Sequence, residues 1–302
     1  MKKEACDEQK PCDSCESGSS CSAKEKEAHE QKRLEQRLYH IRHKIMVMSG
    51  KGGVGKSTVA TNLAASLAFR DYRVGILDAD IHGPNVPKML GVEERQLVGH
   101  DDGVDPVEVF KNFHVVSMGL LAHDPDRAIV WRGPLKHSAI KQFLADVSWG
   151  DLDFLFIDLP PGTGDEPLSV ANLIKNVDGS IIVTTPQDVA LLDSRKAVNF
   201  SRLLNIPVLG IVENMSGLIC PHCGEKINLF KIGGGEQAAR QLGVPFLGRI
   251  PIDPEVVEKC DCGEPFVAAN HDSEAKKAYE KLTQEVIEAM ESAGQKKSSA
   301  VH

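Results

Sequence analysis

Ile45-Met46-Val47-Met48-Ser49-Gly50-Lys51-Gly52-Gly53-Val54-Gly55-Lys56-Ser57-Thr58 reads as a strand, a glycine-rich loop and the opening of a helix. Gly50, Gly52, Gly53 and Gly55 let main-chain N–H groups close around a phosphate with no side chain in the way. Lys56 opens the following helix, so its ammonium can bridge β- and γ-phosphate oxygens while the helix N-terminus adds partial positive charge. Ser57 is placed to hold magnesium. The β-branched and apolar residues before the loop, and Val59, Leu63, Ala64 and Leu67 spaced along one helix face after it, separate this pattern from an ordinary glycine-rich turn. The stretch predicts a site for a nucleoside triphosphate.

Outward from it, strand and helix patterns alternate from Lys44 onward. Short apolar runs at Ile45–Ser49, Val74–Leu77, Phe154–Ile157, Ser180–Thr184, Val208–Val212 and Phe246–Ile250 suit strands buried on both faces of a parallel sheet, with helical stretches such as Ala190–Leu204 between them. The expected fold is α/β, a doubly wound and mostly parallel sheet with ligands at the carboxyl ends of its strands. Residues 1–43 read as a flexible, Cys-rich metal-binding extension with a linker. Its end, with Leu34, Leu38 and Ile41 at i, i+4 and i+7, suits a helix resting one side on the core. Residues 44–292 form the expected P-loop ATPase domain, with a docked helix over Glu274–Glu291. Residues 293–302 read as a disordered tail.

At 302 residues the chain is long enough for one large domain, and its formal net charge of −8 argues against a broad nucleic-acid-binding surface. The start lacks an apolar signal core, and no apolar run approaches the roughly 18 residues of a membrane span. A cytoplasmic protein is expected. In that reducing compartment its eight cysteines suit metal or redox chemistry better than disulfides.

Two more segments end strands in carboxylates: Asp78-Ala79-Asp80-Ile81-His82-Gly83-Pro84-Asn85 and Asp158-Leu159-Pro160-Pro161-Gly162-Thr163-Gly164-Asp165. Phosphoryl transfer needs magnesium held in place and a water oriented in line with the leaving group. Asp158 follows four apolar residues, as a Walker B aspartate does, and is assigned to magnesium. Asp80 is the candidate for positioning the water, with Asp78 as the alternative. Cys220-Pro221-His222-Cys223 directs two thiolates to one metal, with His222 read as a turn residue. Two ligands are not enough, so the others must come from elsewhere in the chain or from a second subunit.

In this order, Gly50–Thr58, Asp78–Asn85, Asp158–Asp165 and Cys220–Cys223 resemble the Mrp family of iron-sulfur cluster carrier ATPases, over about residues 44–290. That family sits in the deviant Walker A class with MinD, ParA and the nitrogenase iron protein. The resemblance implies an ATP-hydrolysing homodimer in which Lys51 reaches across to the partner's nucleotide and Asn214 recognises the adenine. It implies a 4Fe-4S cluster bridged between two subunits by Cys220 and Cys223 of each, and transfer of clusters to apo iron-sulfur proteins. Arg132-Gly133-Pro134 matches a further family segment. Zinc, or a dithiol without metal, is the alternative for the Cys220 and Cys223 pair.

Cys260 and Cys262 would complete a four-cysteine zinc site within one chain if they folded beside that pair, and otherwise are loop thiols. Cys12, Cys15 and Cys21 resemble the N-terminal cluster motif of the family's cytosolic scaffold branch, from which the spacing of Cys6 departs. A second 4Fe-4S site on each extension is expected there, with zinc as the alternative. Two rival functions are a positioning ATPase of the MinD or ParA kind, which binds membrane or DNA, and electron transfer through a bridging cluster. No basic surface or amphipathic membrane tail supports the former.

Overall fold

The alternation of Ile45 and Val47 with Met46 and Met48 decides how the sheet is covered. Successive side chains of a strand point to opposite faces, so the first pair joins one hydrophobic cluster and the second pair joins the other. Phe154 and Phe156 alternate with Leu155 and Ile157 in the same way, as Ile181 and Val183 do with Ile182. Both faces are therefore apolar, and helices must cover both. The computed structural model describes residues 22–80, 83–100, 103–121, 141, 144–174, 176–220, 223–270 and 272–299.

The strands are β1 (Ile41–Met48), β2 (Val74–Asp78), β3 (Val98–His100), β4 (Gly103–Asp105), β5 (Val107–Phe110), β6 (Phe113–Ser117), β7 (Leu152–Asp158), β8 (Gly179–Thr184), β9 (Val208–Glu213), β10 (Leu218–Ile219), β11 (Lys226–Ile227) and β12 (Phe246–Arg249). Eight of them form one sheet in the order β12-β9-β8-β1-β7-β2-β6-β5. All its pairings are parallel except that of β5 with β6. Strand order reverses around β1, which lies between β7 and β8, so the loop after β1 occupies the crevice where doubly wound sheets bind ligands. The expected fold class is confirmed. Among the described residues no helix is long and apolar enough to cross a membrane.

One face packs the helix after the loop, α2 (Lys56–Ala68), and the C-terminal helix Glu274–Ser299, through Leu63, Leu67, Tyr279, Leu282 and Val286. The other face packs helices Asp165–Leu173, Asp188–Leu203 and Gly234–Leu242.

Three expectations need correction. The boundary between residues 43 and 44 falls inside β1, which already pairs with β7 at Ile41. Before it, the N-terminal helix α1 (Ala23–Tyr39) buries Leu34 and Leu38 as its spacing predicts, and Arg33 pairs with Asp146 at 2.9 Å. The helix starts at a capping box, where Ser22 N–H donates to the Glu25 carboxylate at 2.7 Å and Glu25 N–H donates to Ser22 Oγ at 3.4 Å. The chain from Ser22 onward thus belongs to the folded unit. The C-terminal helix runs to Ser299, through most of the stretch expected to be disordered. Ala293 still packs on the core there, and Gln295, Lys296 and Lys297 favour the helix against Gly294. The strand reading also missed β5 and β6, an antiparallel hairpin that turns through Asn112 at φ 67°.

Candidate functional site

The phosphate loop is open because two neighbours leave no room for side chains on it. A Cβ on Gly50 would lie 2.1 Å from the carbonyl oxygen of Asp193, so helix Asp188–Leu203 lies directly against the loop. Gly55 caps α2 at φ 76°, and a Cβ there would meet Asn214 Nδ2 at 2.2 Å. That Nδ2 donates to the Val54 carbonyl at 2.9 Å. Asn214, directly after β9, therefore touches the loop. Ser49 Oγ donates to the Lys51 carbonyl at 2.9 Å, and Gly162 N–H donates to the Ser49 carbonyl at 2.9 Å. The segment after β7 is thereby tied to the loop's base. Thr58 lies half-buried in the first turn of α2.

The register of the sheet brings the carboxylates together, for Asp78 and Asp158 pair directly across β2 and β7. Asp158 is fully buried, and its two oxygens are divided: Oδ1 lies 2.5 Å from Lys56 Nζ, and Oδ2 accepts from Ser57 Oγ at 2.5 Å. Lys56 itself is only 6% exposed. A buried pair of this kind persists because each charge is matched and hydrogen-bonded. Lys56, Ser57 and Asp158 are thus assembled at the end of β7. Their all-oxygen donor pair, a hydroxyl and a carboxylate, fits magnesium.

Asp78 is buried behind them. It accepts from Ser117 Oγ at 3.0 Å, Val86 N–H at 3.4 Å and Asp80 N–H at 3.1 Å. Burial, with the Asp158 charge adding to it, pushes its carboxyl from 3.8 up to about 8. Asp80 lies half-buried nearer the surface, where its Oδ1 accepts from Gly83 N–H at 3.1 Å.

The raised Asp78 value has a consequence for stability. Because the folded value lies above the unfolded one, the stability this group contributes is complete below about pH 4 and is lost as pH rises through about 8. The denaturation midpoint of the nucleotide-free protein should accordingly fall between about pH 5 and pH 8, and Asp78→Asn should flatten that fall. Equal slopes for the two proteins would contradict this.

Lys51 is half-buried, and among the described residues its ammonium has no hydrogen bond or ion pair. Val189 (65% exposed) and Leu192 (61%) of helix Asp188–Leu203, and Leu229 (56%), Phe230 and Ile232 after β11, are exposed apolar side chains. Lys231 joins the two segments by a 2.6 Å ion pair to Asp188.

Cys220 and Cys223 flank the turn of the β10–β11 hairpin. Gly224 N–H donates to the Cys220 carbonyl and Cys220 N–H to the Glu225 carbonyl, both at 2.9 Å. Cys220 is half-buried and Cys223 exposed. Cys260 is buried within helix Pro254–Asp261, and burial pushes its thiol up to about 11; Cys262 caps that helix, exposed. No group of three or more Cys, His, Asp or Glu among the described residues is placed to hold a metal ion. Among the described residues Cys260 and Cys262 do not join Cys220 and Cys223 in a four-cysteine site. Cys6, Cys12, Cys15, Cys21, His222 and Arg132-Gly133-Pro134 lie outside the described residues.

Sequence reasoning passed over Ser117, Asp193 and Glu213. Only Glu213, a carboxylate ending an apolar strand as Asp78 and Asp158 do, left a readable signal.

A family model described as ParA: NUBPL iron-transfer P-loop NTPase matches residues 40–287. The iron-sulfur cluster carrier protein of Methanocaldococcus jannaschii is 47% identical over 281 residues, covering 93% of this chain and 96% of that protein. The protein of the same name from Pyrococcus horikoshii is 51% identical over 267 residues, covering 85% and 90%. Among solved structures, a nucleotide-binding protein of Archaeoglobus fulgidus in complex with ADP is similar at 40% identity and a TM-score of 0.70, over 79% of this chain and 93% of that one. The cell division ATPase MinD of Pyrococcus furiosus follows at 26% identity and a TM-score of 0.62, over 82% and 99%.

Proposed function

The chain belongs to the ParA family of P-loop NTPases, in its NUBPL iron-transfer group, and on that footing we propose that it hydrolyses ATP and carries iron-sulfur clusters to apo-proteins. The observation that supports the reading is a pair of thiols on the hairpin that follows the strand whose end touches the phosphate loop. Cys220 and Cys223 stand at the tip of a hairpin without a third ligand among the described residues, six residues on from the Asn214 that touches the phosphate loop.

A second copy supplies what is missing. Four thiolates, two from each subunit, hold a bridging 4Fe-4S cluster. The exposed apolar residues Val189, Leu192, Leu229, Phe230 and Ile232, on two segments joined by the Lys231–Asp188 ion pair, support such an interface, since exposed apolar patches mark contact sites. Lys51, whose ammonium lacks a partner among the described residues, reaches the nucleotide of the other subunit. Cys12, Cys15 and Cys21, with Cys6, hold a second cluster on the segment before Ser22. The partners are a second copy and apo iron-sulfur proteins of the cytoplasm. A net charge of −8 weighs against nucleic acid and anionic membrane.

In the nucleotide site, main-chain N–H groups from Gly50 to Gly55 receive the phosphates, and Asn214 recognises the adenine. Lys56 would turn from Asp158 to β- and γ-phosphate oxygens, and Ser57 Oγ and the Asp158 carboxylate are the groups that would hold magnesium. Bound magnesium neutralises charge that develops on the phosphates. Asp80 orients the attacking water, because Asp78 already accepts from three donors and carries a proton at neutral pH.

Anaerobic reconstitution with iron and sulfide tests the carrier reading through metal content and the visible spectrum. Uptake of zinc but never of iron and sulfide, unchanged by Cys220→Ala, would sink it. The interface has its own test. Lys51→Ala should abolish dimerisation by a non-hydrolysable ATP analogue, seen by light scattering, and lower ATP hydrolysis by about tenfold or more. Dimerisation at wild-type nucleotide concentrations would remove Lys51 from the interface.

A further inference from the structure

Glu213 is a charged side chain with no part in the chemistry above, yet it is fully buried. It ends β9, and three donors converge on it. Ser216 Oγ and Gly233 N–H, the latter at 2.9 Å, donate to Oε1, and Gly235 N–H donates to Oε2 at 2.5 Å. Ser216 immediately precedes, and Gly233 immediately follows, the excursion of residues 217–232 that carries Cys220 and Cys223. The loop begins and ends on one carboxylate. Within it the strands are only two residues long, and every residue from 223 to 232 is exposed. So short a hairpin has little stability of its own, which leaves its position to the anchorage at its base.

Why a carboxylate stands there follows from hydrogen-bond arithmetic. Three donors at one buried point need a group that accepts with both ends and donates with neither, and a carboxylate is that group. Glutamine would turn an NH2 toward one of the donors and leave both unsatisfied. The N-terminus of helix Gly234–Leu242 further favours a negative charge.

The neighbouring residue extends the connection. Asn214 N–H donates to the Thr184 carbonyl at 2.8 Å, and its Nδ2 donates to Val54 in the phosphate loop. Consecutive residues thus hold the cysteine loop and the nucleotide loop. We propose that Glu213 is the positioning residue of the cysteine loop, fixing Cys220 and Cys223 relative to the phosphate loop so that nucleotide binding is felt at the thiols. This rests on the reading of Cys220 and Cys223 as cluster ligands. A displacement of Val54 by a bound phosphate passes through the Asn214 side-chain hydrogen bond and the Glu213–Asn214 peptide bond to the carboxylate that holds the clasp, a contiguous physical path rather than mere proximity.

The test uses the full chain, reduced and free of metal, and follows alkylation of each cysteine by peptide mass spectrometry. Wild type, Glu213→Gln and Ser216→Ala are compared with and without magnesium and a non-hydrolysable ATP analogue. Glu213→Gln should speed labelling of Cys220 by about tenfold or more and erase its response to the analogue, and Ser216→Ala should do the same to a smaller extent. Cys260, buried in helix Pro254–Asp261, should label slowly in all three, which a merely destabilised chain would not allow. Should Glu213→Gln fail to fold, Ser216→Ala decides alone. Cys220 labelling at the wild-type rate in the folded variants would overturn the proposal, and so would a parallel rise at Cys260 in each of them. Iron and sulfide uptake by wild type is independent of these rates. A chain that takes up only zinc but shows the labelling pattern would refute the cargo and keep the clasp.

Discussion

Asp158→Asn should lower ATP hydrolysis by about 10² to 10³-fold while leaving the fold intact. Both oxygens of Asp158 are engaged, one with Lys56 Nζ and one with Ser57 Oγ. Asparagine keeps the shape but turns an NH2 toward one of those partners and removes the charge that magnesium requires. The sheet does not depend on that charge, because the register of β7 with β1 and β2 is built from backbone bonds. Removing it also relieves Asp78, whose carboxyl the Asp158 charge helps to raise. That relief offsets only part of the cost of leaving the buried Lys56 ammonium without its counter-charge, so the nucleotide-free variant is expected to lose about 3 to 5 kcal/mol of stability relative to wild type. Phosphate release at saturating ATP, read beside a denaturation curve, separates the two effects. Hydrolysis within about threefold of wild type would remove Asp158 from the chemistry.

Cys220→Ser should reduce iron bound at the hairpin by at least about tenfold. In a bridging site the substitution strikes twice, removing one thiolate from each subunit. The fold should not register it, since a half-buried turn position away from the core shifts stability by about 0.5 kcal/mol or less. Cys260→Ser is the matched control: it alters a buried thiol remote from any assembled metal site and should leave iron unchanged. To separate the hairpin from the N-terminal cysteines, the measurement belongs on a chain that begins at Ser22. A deletion through residue 43 would remove α1 and the first three residues of β1, taking Leu34 and Leu38 out of the core. Equal iron and sulfide in the Ser22 chain with and without Cys220→Ser would end the hairpin's role as a cargo site.

The six strands read from sequence all exist, and all but the half-buried edge strand β12 lie inside the sheet, where strands announce themselves as unbroken apolar runs. Their ends were harder to see. Arg42 and His43 fall in the expected linker yet belong to β1, and Lys44, expected to open the domain, is buried in that strand, where its Nζ donates to the Ile41 carbonyl at 3.1 Å and lies 3.8 Å from Asp178. The partner that lets a lysine enter a sheet is 134 residues away in sequence. The hairpin β5–β6 escaped for a different reason, since its strands are short and the exposed Glu108 and half-buried His114 interrupt their apolar runs.

The nucleotide loop was legible because its chemistry is local, each residue serving the phosphate from consecutive positions. The order of the carboxylates was not. Asp78 and Asp80 are equivalent as letters, and only the register of β2 with β7 places Asp78 inside, beside Asp158 and against Ser117. Glu213 is the extreme case. Its donors come from residues 3, 20 and 22 positions later, and no spacing rule joins them.

The hairpin's two-residue strands set a clock. Amide protons in the buried parts of β1, β7 and β8 exchange with solvent only when the whole sheet opens, whereas those of the exposed residues 223–232, held by a few hairpin hydrogen bonds, exchange on local opening. Local opening of the hairpin can therefore recur many times within the life of a single folded molecule. The part that wears is the part that costs least to re-form.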